Sequence, residues 1–126
     1  MTTAEKPILE GKALLDVIIE SIDSDKAEDI VTIDLGNKTD IADYMVVASG
    51  NVNRHVAAIS EHLAEKLKKL GHSPIQVEGL EEADWVLLDT GDVIVHVFRP
   101  EVRDFYKIEQ MWEEMPSLLS RQVEEL

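Results

Sequence analysis

The Ser49-Gly50 turn is the feature of this sequence that comes closest to a site for chemistry, because it joins a predicted strand to a predicted helix. Backbone amides and the helix dipole at such a position can hold a phosphate group. The turn has one glycine and no lysine at the start of the helix, so it matches neither a dinucleotide-binding motif nor a P-loop. The pattern favours an ordinary helix cap.

No second group completes an active site around this turn. Enzymes that transfer nucleotidyl groups follow a related turn with paired aspartates for two magnesium ions, and no such pair follows here. Asp23-Ser24-Asp25 lies ahead of the first predicted strand, where the capping of a helix end explains it. His55 and His62 are seven residues apart on one predicted helix, without the carboxylate spacing of an HExxH site. With no cysteine and no GxSxG turn either, the sequence predicts no catalytic residue, no metal site and no cofactor.

The charge of the chain is compatible with a basic protein partner. There are 26 acidic and 12 basic side chains, a formal net charge of -14, which repels phosphate backbones and anionic membranes and attracts cationic surfaces. High solubility is the other explanation, and charge alone does not decide between the two. The chain has no run of about 18 apolar residues and no secretory signal. We therefore expect a cytoplasmic protein that binds neither membranes nor nucleic acids directly.

The length and composition predict one folded domain over residues 1–126, with a core from about 10 to 115 and flexible termini. The predicted elements are a helix containing Leu14 to Ile22, strands at Ile30–Leu35 and Tyr44–Ala48, a helix at Asn53–Leu70, strands at Pro74–Glu78, Trp85–Asp89 and Val93–Phe98, and a helix from Pro100 to Pro116. This order mixes hairpins with one crossover. It predicts an α/β protein of the α+β kind, with a mixed sheet of about five strands layered with helices.

The last two strands form a predicted hairpin whose faces differ in chemistry. A symmetric turn at Thr90-Gly91 pairs Trp85 with His96 and Leu88 with Val93. One face is then aliphatic, and the other collects Trp85, Leu87, Asp89, Asp92, Ile94, His96 and Phe98. Such a mixed face is costly to bury and too apolar to leave in water, which indicates a surface that docks a basic protein. The alternative is that the last helix covers this face, with Trp85 in the core and His96 hydrogen-bonded.

The last helix offers a second candidate surface. Four apolar residues are predicted to share one of its faces: Phe105, Ile108, Trp112 and Met115. Three further residues follow beside that stripe at spacings of three and four: Tyr106, Glu109 and Glu113. These three either extend the acidic and aromatic surface or form a plain solvated face.

Three stretches of the chain resemble the ribosome silencing factor family, also called Iojap-like. They are DIADYMVVASGNVNRHV at 40–56, VEGLEEADWVLLDTGDVIVHVF at 77–98 and RDFYKIEQMW at 103–112. Their order and spacing also match the family, and the resemblance covers about residues 10 to 115. It implies a nucleotidyltransferase-like fold without the catalytic aspartates, in agreement with the missing aspartate pair.

The resemblance also implies a function. Proteins of this family bind large-subunit ribosomal protein number 14, a basic protein on the intersubunit face, and sterically block joining of the small subunit when nutrients are scarce. This chain is then a non-enzymatic repressor of translation. The family's partner-binding positions carry over onto seven residues of this sequence: Trp85, Asp89, Asp92, His96, Tyr106, Glu109 and Trp112.

The resemblance and the hairpin face together assign roles to these residues. We expect Trp85 to be the apolar anchor and Tyr106 to pack and hydrogen-bond at the rim. Three carboxylates are expected to meet Lys or Arg of the partner: Asp89, Asp92 and Glu109. The same docking would serve a factor that assembles the large subunit, and a nucleotide-binding enzyme acting at Ser49 to Arg54 is the third hypothesis. The resemblance further implies homodimers, whose interface the sequence does not locate.

Overall fold

The computed structural model describes residues 9–36, 38–72 and 74–114, and within them the elements follow the predicted order. They are α1 (Gly11–Ser24), β1 (Glu28–Asp34), β2 (Tyr44–Ser49), α2 (Asn53–Lys69), β3 (Gln76–Glu78), β4 (Trp85–Asp89), β5 (Val93–Phe98), α3 (Pro100–Tyr106) and α4 (Ile108–Glu114). The predicted fold class, a mixed sheet of five strands layered with helices, is confirmed. Its likeness to nucleotidyltransferases stays a prediction.

The strands form one sheet in the order β1-β2-β5-β4-β3. β2 and β5 run parallel, which is possible because the long connection through α2, β3 and β4 crosses over between them. The other neighbouring strands are antiparallel. The parallel strands β2 and β5 are almost wholly buried. The edge strands are less regular, since β1 has a bulge between Glu28 and Val31, with Asp29 at φ 51°, and β3 has only three residues.

α1 and α2 cover one face of the sheet. Their apolar residues recur at spacings of three and four, so that each helix presents one stripe to the strands. The buried members are Leu14, Leu15, Ile18, Ile22, Val56, Ile59, Leu63 and Leu67. They pack against the aliphatic side of the strands, which consists of Val46, Ala48, Val86, Leu88, Val93, Val95 and Val97. This layer forms the larger apolar core.

The β4 and β5 hairpin has the predicted faces but not the predicted pairing. Trp85 lies opposite Phe98, and His96 lies opposite Leu87, so the predicted pairing of Trp85 with His96 is wrong. The predicted pairing of Leu88 with Val93 is wrong in the same way, since Leu88 lies opposite Val95. Because the register differs by two residues, each strand residue keeps its predicted face.

The turn itself accounts for the shift. Gly91 and Asp92 form a two-residue loop, with Gly91 at φ 102°, a conformation that glycine adopts without strain. The Thr90 N–H and the Thr90 hydroxyl both donate to the Val93 carbonyl, at 3.0 and 2.7 Å. Thr90 therefore belongs to the ladder, and the predicted turn at Thr90-Gly91 is displaced by one position.

The last helix is not continuous, which corrects the predicted apolar stripe. Lys107 stands in the left-handed region at φ 51° and separates α3 from α4. Phe105 is consequently 79% exposed, whereas Ile108 and Trp112 pack against the sheet. The predicted contributions of Met115 and Pro116 lie outside the described residues.

Candidate binding surface

Four aromatic rings meet on the face of the sheet opposite α1 and α2. Trp85 of β4 stacks on Phe98 of β5 with ring centroids 4.8 Å apart, and Tyr106 at the end of α3 lies 4.9 Å from Trp85. His96 is 5.9 Å from both Trp85 and Phe98. The strand pairing places Trp85 directly opposite Phe98, and α3 brings Tyr106 over them. We call these four residues the aromatic cluster.

The aromatic cluster is buried at its base and exposed at its top. Phe98 and His96 are 0% and 4% exposed, Trp85 is half-buried, and Tyr106 is 53% exposed. The predicted alternative of a covered face holds for His96, which is buried and hydrogen-bonded. It holds only in part for Trp85, which like Tyr106 still reaches the surface. The docking of a basic protein stays a prediction.

His96 is held neutral by its surroundings. The Trp85 Nε1–H donates to His96 Nδ1 at 3.0 Å, so this nitrogen carries a lone pair and the ring proton is on Nε2. Burial lowers the pKa of His96 from 6.5 to about 4, because the charged form would lose its hydration. At neutral pH the histidine accordingly acts as an uncharged acceptor that orients the Trp85 indole.

Two of the predicted carboxylates support the hairpin turn and the start of α1. The Asp89 carboxylate accepts the Gly91 N–H at 3.0 Å. The Asp92 carboxylate accepts the Gly11 N–H at 2.9 Å, where it meets the positive end of α1. Asp92 thus turns toward α1, and the prediction that it shares a face with Trp85 is wrong.

Glu109 is engaged by an arginine that the sequence reasoning overlooked. Arg103 Nε and Nη2 donate to Glu109 Oε2 at 3.0 and 2.8 Å, and Arg103 Nη1 donates to the Ser49 hydroxyl at 2.7 Å. The two side chains are 10% and 18% exposed, so this is a largely buried ion pair. It joins β2, α3 and α4. No local pattern in the sequence predicts this ion pair, because Glu109 comes within reach of Arg103 only where the helix breaks at Lys107.

The last predicted site residue, Trp112, is mainly a packing residue of α4. It is half-buried against the cluster of apolar residues that includes Phe98 and Met45. Its backbone carbonyl accepts the Lys38 ammonium at 2.8 Å. Trp112 therefore holds α4 on the sheet, and it packs against the same apolar cluster as Trp85.

The Ser49-Gly50 turn uses its own polar groups internally. The Gly50 N–H donates to the Phe98 carbonyl at 2.9 Å, and the Asn51 N–H donates to His55 Nδ1 at 3.0 Å. Two amides that a phosphate would need are thus already bonded, which weakens the nucleotide-binding hypothesis. Within the described part of the chain, no group of three or more His, Asp or Glu side chains is placed to hold a metal ion.

Two further large apolar side chains stand exposed on α3 and α4. Phe105 contacts Tyr106 edge to face at 5.0 Å, and Met111 of α4 is 55% exposed. Acidic side chains alternate with them along α3 and α4, namely Glu101, Asp104, Glu109, Glu113 and Glu114. No helix in the described ranges is both long and apolar enough to cross a membrane.

The fold and the site define a small α/β protein with an acidic, aromatic surface. The family model described as "Ribosomal silencing factor during starvation" matches residues 9–126. The chain belongs to the ribosomal silencing factor family, and the family predicted from the sequence is confirmed.

Individual relatives agree with this membership. The Ribosomal silencing factor RsfS of Zymomonas mobilis is 52% identical over 99 residues, which are 79% of this chain and 74% of that protein. A mouse protein named Mitochondrial assembly of ribosomal large subunit protein 1 is 29% identical over 101 residues, 78% of this chain and 44% of the mouse protein. A crystal structure of a Chromobacterium violaceum protein has a TM-score of 0.79 at 39% identity and covers 84% of this chain and 89% of that one.

Proposed function

We propose that this chain binds the large ribosomal subunit through its protein number 14 and thereby prevents the small subunit from joining, which represses translation when nutrients are limiting. It acts in the cytoplasm as a steric block and performs no catalysis. Membership of the ribosomal silencing factor family is the observation that carries the proposal.

The exposed part of the aromatic cluster supports this proposal physically. Trp and Tyr are enriched among the residues that contribute most to binding energy, and both Trp85 and Tyr106 are only partly covered. Phe105, which contacts Tyr106, extends the apolar surface. A net charge of -14 would draw such a surface toward a basic protein and raise the rate of encounter.

The contacts of the predicted site residues refine their roles. Trp85 and Tyr106 are assigned as direct anchors, and Asp89 meets basic side chains from the end of β4. Asp92, Glu109 and Trp112 act indirectly, because each one binds an element of its own chain: α1, Arg103 and the sheet. His96 serves by holding the indole of Trp85 in place.

Assembly of the large subunit is the second candidate function. The mouse relative is named for that process, and the same docking surface would keep the small subunit away from an immature particle. Depleting the protein from growing cells distinguishes the two roles. Accumulation of large-subunit precursors would favour assembly, whereas normal large subunits with unrestrained joining during starvation would favour silencing.

Sedimentation with separated ribosomal subunits tests the proposal. We expect the purified chain to migrate with the large subunit alone and to reduce the amount of joined ribosome. Tyr106→Ala should weaken this binding by about 2 kcal/mol, the loss typical of an interface anchor. Leu70→Ala is the matched control, since Leu70 is 40% exposed at the end of α2, on the other side of the sheet. Failure of the unmodified chain to bind either subunit would refute the proposed function.

Homodimer formation stays a prediction of the family resemblance. Sedimentation equilibrium of the chain alone, over a range of concentrations, measures it. If the dimer uses the aromatic cluster, Tyr106→Ala should weaken both self-association and subunit binding, whereas a dimer formed elsewhere would be unaffected.

A further inference from the structure

A pocket of about 360 Å³ lies beside Trp85, between α3 and the segment that joins β3 to β4. It is lined by two carboxylates, two aromatic rings and two smaller residues: Glu82, Asp84, Trp85, Tyr106, Gly79 and Val102. We call it the Glu82 pocket. None of these six lining residues is a lysine or an arginine, so the charged groups that reach the pocket are all acidic.

The walls of the Glu82 pocket are held in place by their own contacts. Gly79 stands at φ 87°, and a Cβ there would collide with the Trp85 carbonyl, so only glycine lets these two backbone segments approach. Asp84 Oδ1 accepts Asn53 Nδ2 at 2.7 Å and Arg99 Nε at 2.9 Å. The Gly79 and Asp84 sides of the pocket are therefore fixed before a ligand enters, which lowers the cost of ordering them.

The charge of the pocket is only partly offset. Arg99 pairs with Asp84 at 2.9 Å and also with Glu101 at 3.2 Å. Glu82 uses only its backbone carbonyl, which accepts Asn53 Nδ2 at 2.8 Å. The Glu82 carboxylate forms no hydrogen bond or ion pair with any residue in the described ranges. Trp85 and Tyr106, whose ring centroids are 4.9 Å apart, line the same pocket. Glu82 is exposed, and an exposed carboxylate without an ion-pair partner that lines the same pocket as two aromatic rings can still attract a cation.

We infer that the Glu82 pocket receives an arginine side chain of the protein partner. A guanidinium group is planar, so it can stack on Trp85 or Tyr106 while its N–H groups reach the Glu82 carboxylate. It is also more weakly hydrated than an ammonium group, which lowers the cost of entering a half-buried pocket. The inference rests on the proposed function for the identity of the partner, and it adds the chemistry that the partner must present.

A titration with a small probe tests the pocket without the ribosome. Nα-acetyl-arginine amide is added to the ¹⁵N-labelled chain, and the neutral isostere Nα-acetyl-citrulline amide is added to a second sample. We expect arginine alone to shift the Gly79 amide and the Trp85 indole N–H, while the Trp112 indole N–H stays in place as an internal reference. Equal shifts with both probes, or no shift with either, would overturn the assignment of a cation site.

Two charge reversals then ask whether the partner uses the pocket. Glu82→Lys blocks it, and Glu81→Lys is the matched control, because Glu81 is exposed like Glu82 but lies outside the lining, and the change in net charge is the same. We expect the dissociation constant for the large subunit to rise about tenfold more for Glu82→Lys than for Glu81→Lys. Equal effects would exclude the pocket as a contact site. If the unmodified chain does not bind the subunit, the proposed function fails, and the probe titration still decides whether the pocket binds guanidinium.

Discussion

The two faces of the sheet are built on different principles. The face under α1 and α2 is closed by long aliphatic stripes, and the polar residues that these two helices bury are the serines Ser21 and Ser60. The face under α3 and α4 is covered by two short helices and buries a histidine, an arginine and a serine among its apolar residues. The difference indicates that the first face supplies most of the stability. The second face keeps its aromatic residues near the surface, where a partner can reach them.

The largest expected contrast between the faces comes from two adjacent leucines of β4. Leu88 is fully buried under α1 and α2, whereas Leu87 points to the other face and is half-buried. Leu88→Ala should lower the free energy of unfolding by about 3 to 4 kcal/mol, since it opens a cavity in a packed core. Leu87→Ala should cost about 1 kcal/mol. Urea denaturation measures both, and equal losses would contradict the division of roles.

The buried histidine should make the second face sensitive to acid. The folded chain keeps His96 neutral down to about pH 4, whereas the unfolded chain takes up a proton near pH 6.5. Between these values the unfolded state binds more protons, so the free energy of unfolding falls as the pH is lowered from 6.5 to 4. The loss is on the order of 3 kcal/mol.

The variant His96→Gln isolates the contribution of His96 to the pH dependence of stability. His96→Gln keeps a hydrogen-bond acceptor for the Trp85 indole but has no proton to gain. Denaturation at a series of pH values should give a flatter profile for this variant than for the unmodified chain. Parallel profiles would show that His96 does not contribute.

The ion pair between Arg103 and Glu109 should have a smaller effect than the histidine. Arg103→Met removes its bonds to Glu109 and Ser49 and leaves the Glu109 carboxylate without its partner. We expect a loss of about 2 kcal/mol, less than for a fully buried pair because Glu109 is 18% exposed. Adding Glu109→Gln should recover part of that loss. A double variant with strictly additive losses would argue against coupling of the two side chains.

The smallest effect on stability is expected at the exposed end of α3. Phe105 is 79% exposed, so Phe105→Ser should change the free energy of unfolding by less than about 0.5 kcal/mol. Binding of the Phe105→Ser variant to the large subunit should nevertheless weaken, because the apolar surface around Tyr106 becomes smaller. Thermal denaturation and subunit sedimentation of the same sample separate the two effects. A destabilised variant would show that Phe105 belongs to the fold.

The agreement between the prediction from sequence and the structure also differs between the two faces of the sheet. Periodic apolar residues predict α1, α2 and the strands because burial against one layer imposes one spacing. The strand residues of the hairpin lie on their predicted faces despite the two-residue error in register, since side chains alternate with a period of two. The class of fold was therefore predictable from local patterns.

The candidate site was less predictable because distant segments build it. Lys107 has no glycine or proline beside it to signal the break between α3 and α4, so Glu109 was expected on a continuous helix. Ser49 and Arg103 are 54 residues apart, and the Glu82 pocket needs β4 and α3 to meet. No spacing in the sequence encodes these contacts.

The irregular margins of the sheet have a consequence for how copies of this chain behave in a crowded solution. A long, regular edge strand is a template on which another chain can add a strand, and repeated addition leads to fibres. Here β3 is only three residues long, and the bulge at Asp29 distorts β1. Both margins are therefore poor templates, and the chain can display aromatic rings on its surface without polymerising through the edges of its sheet.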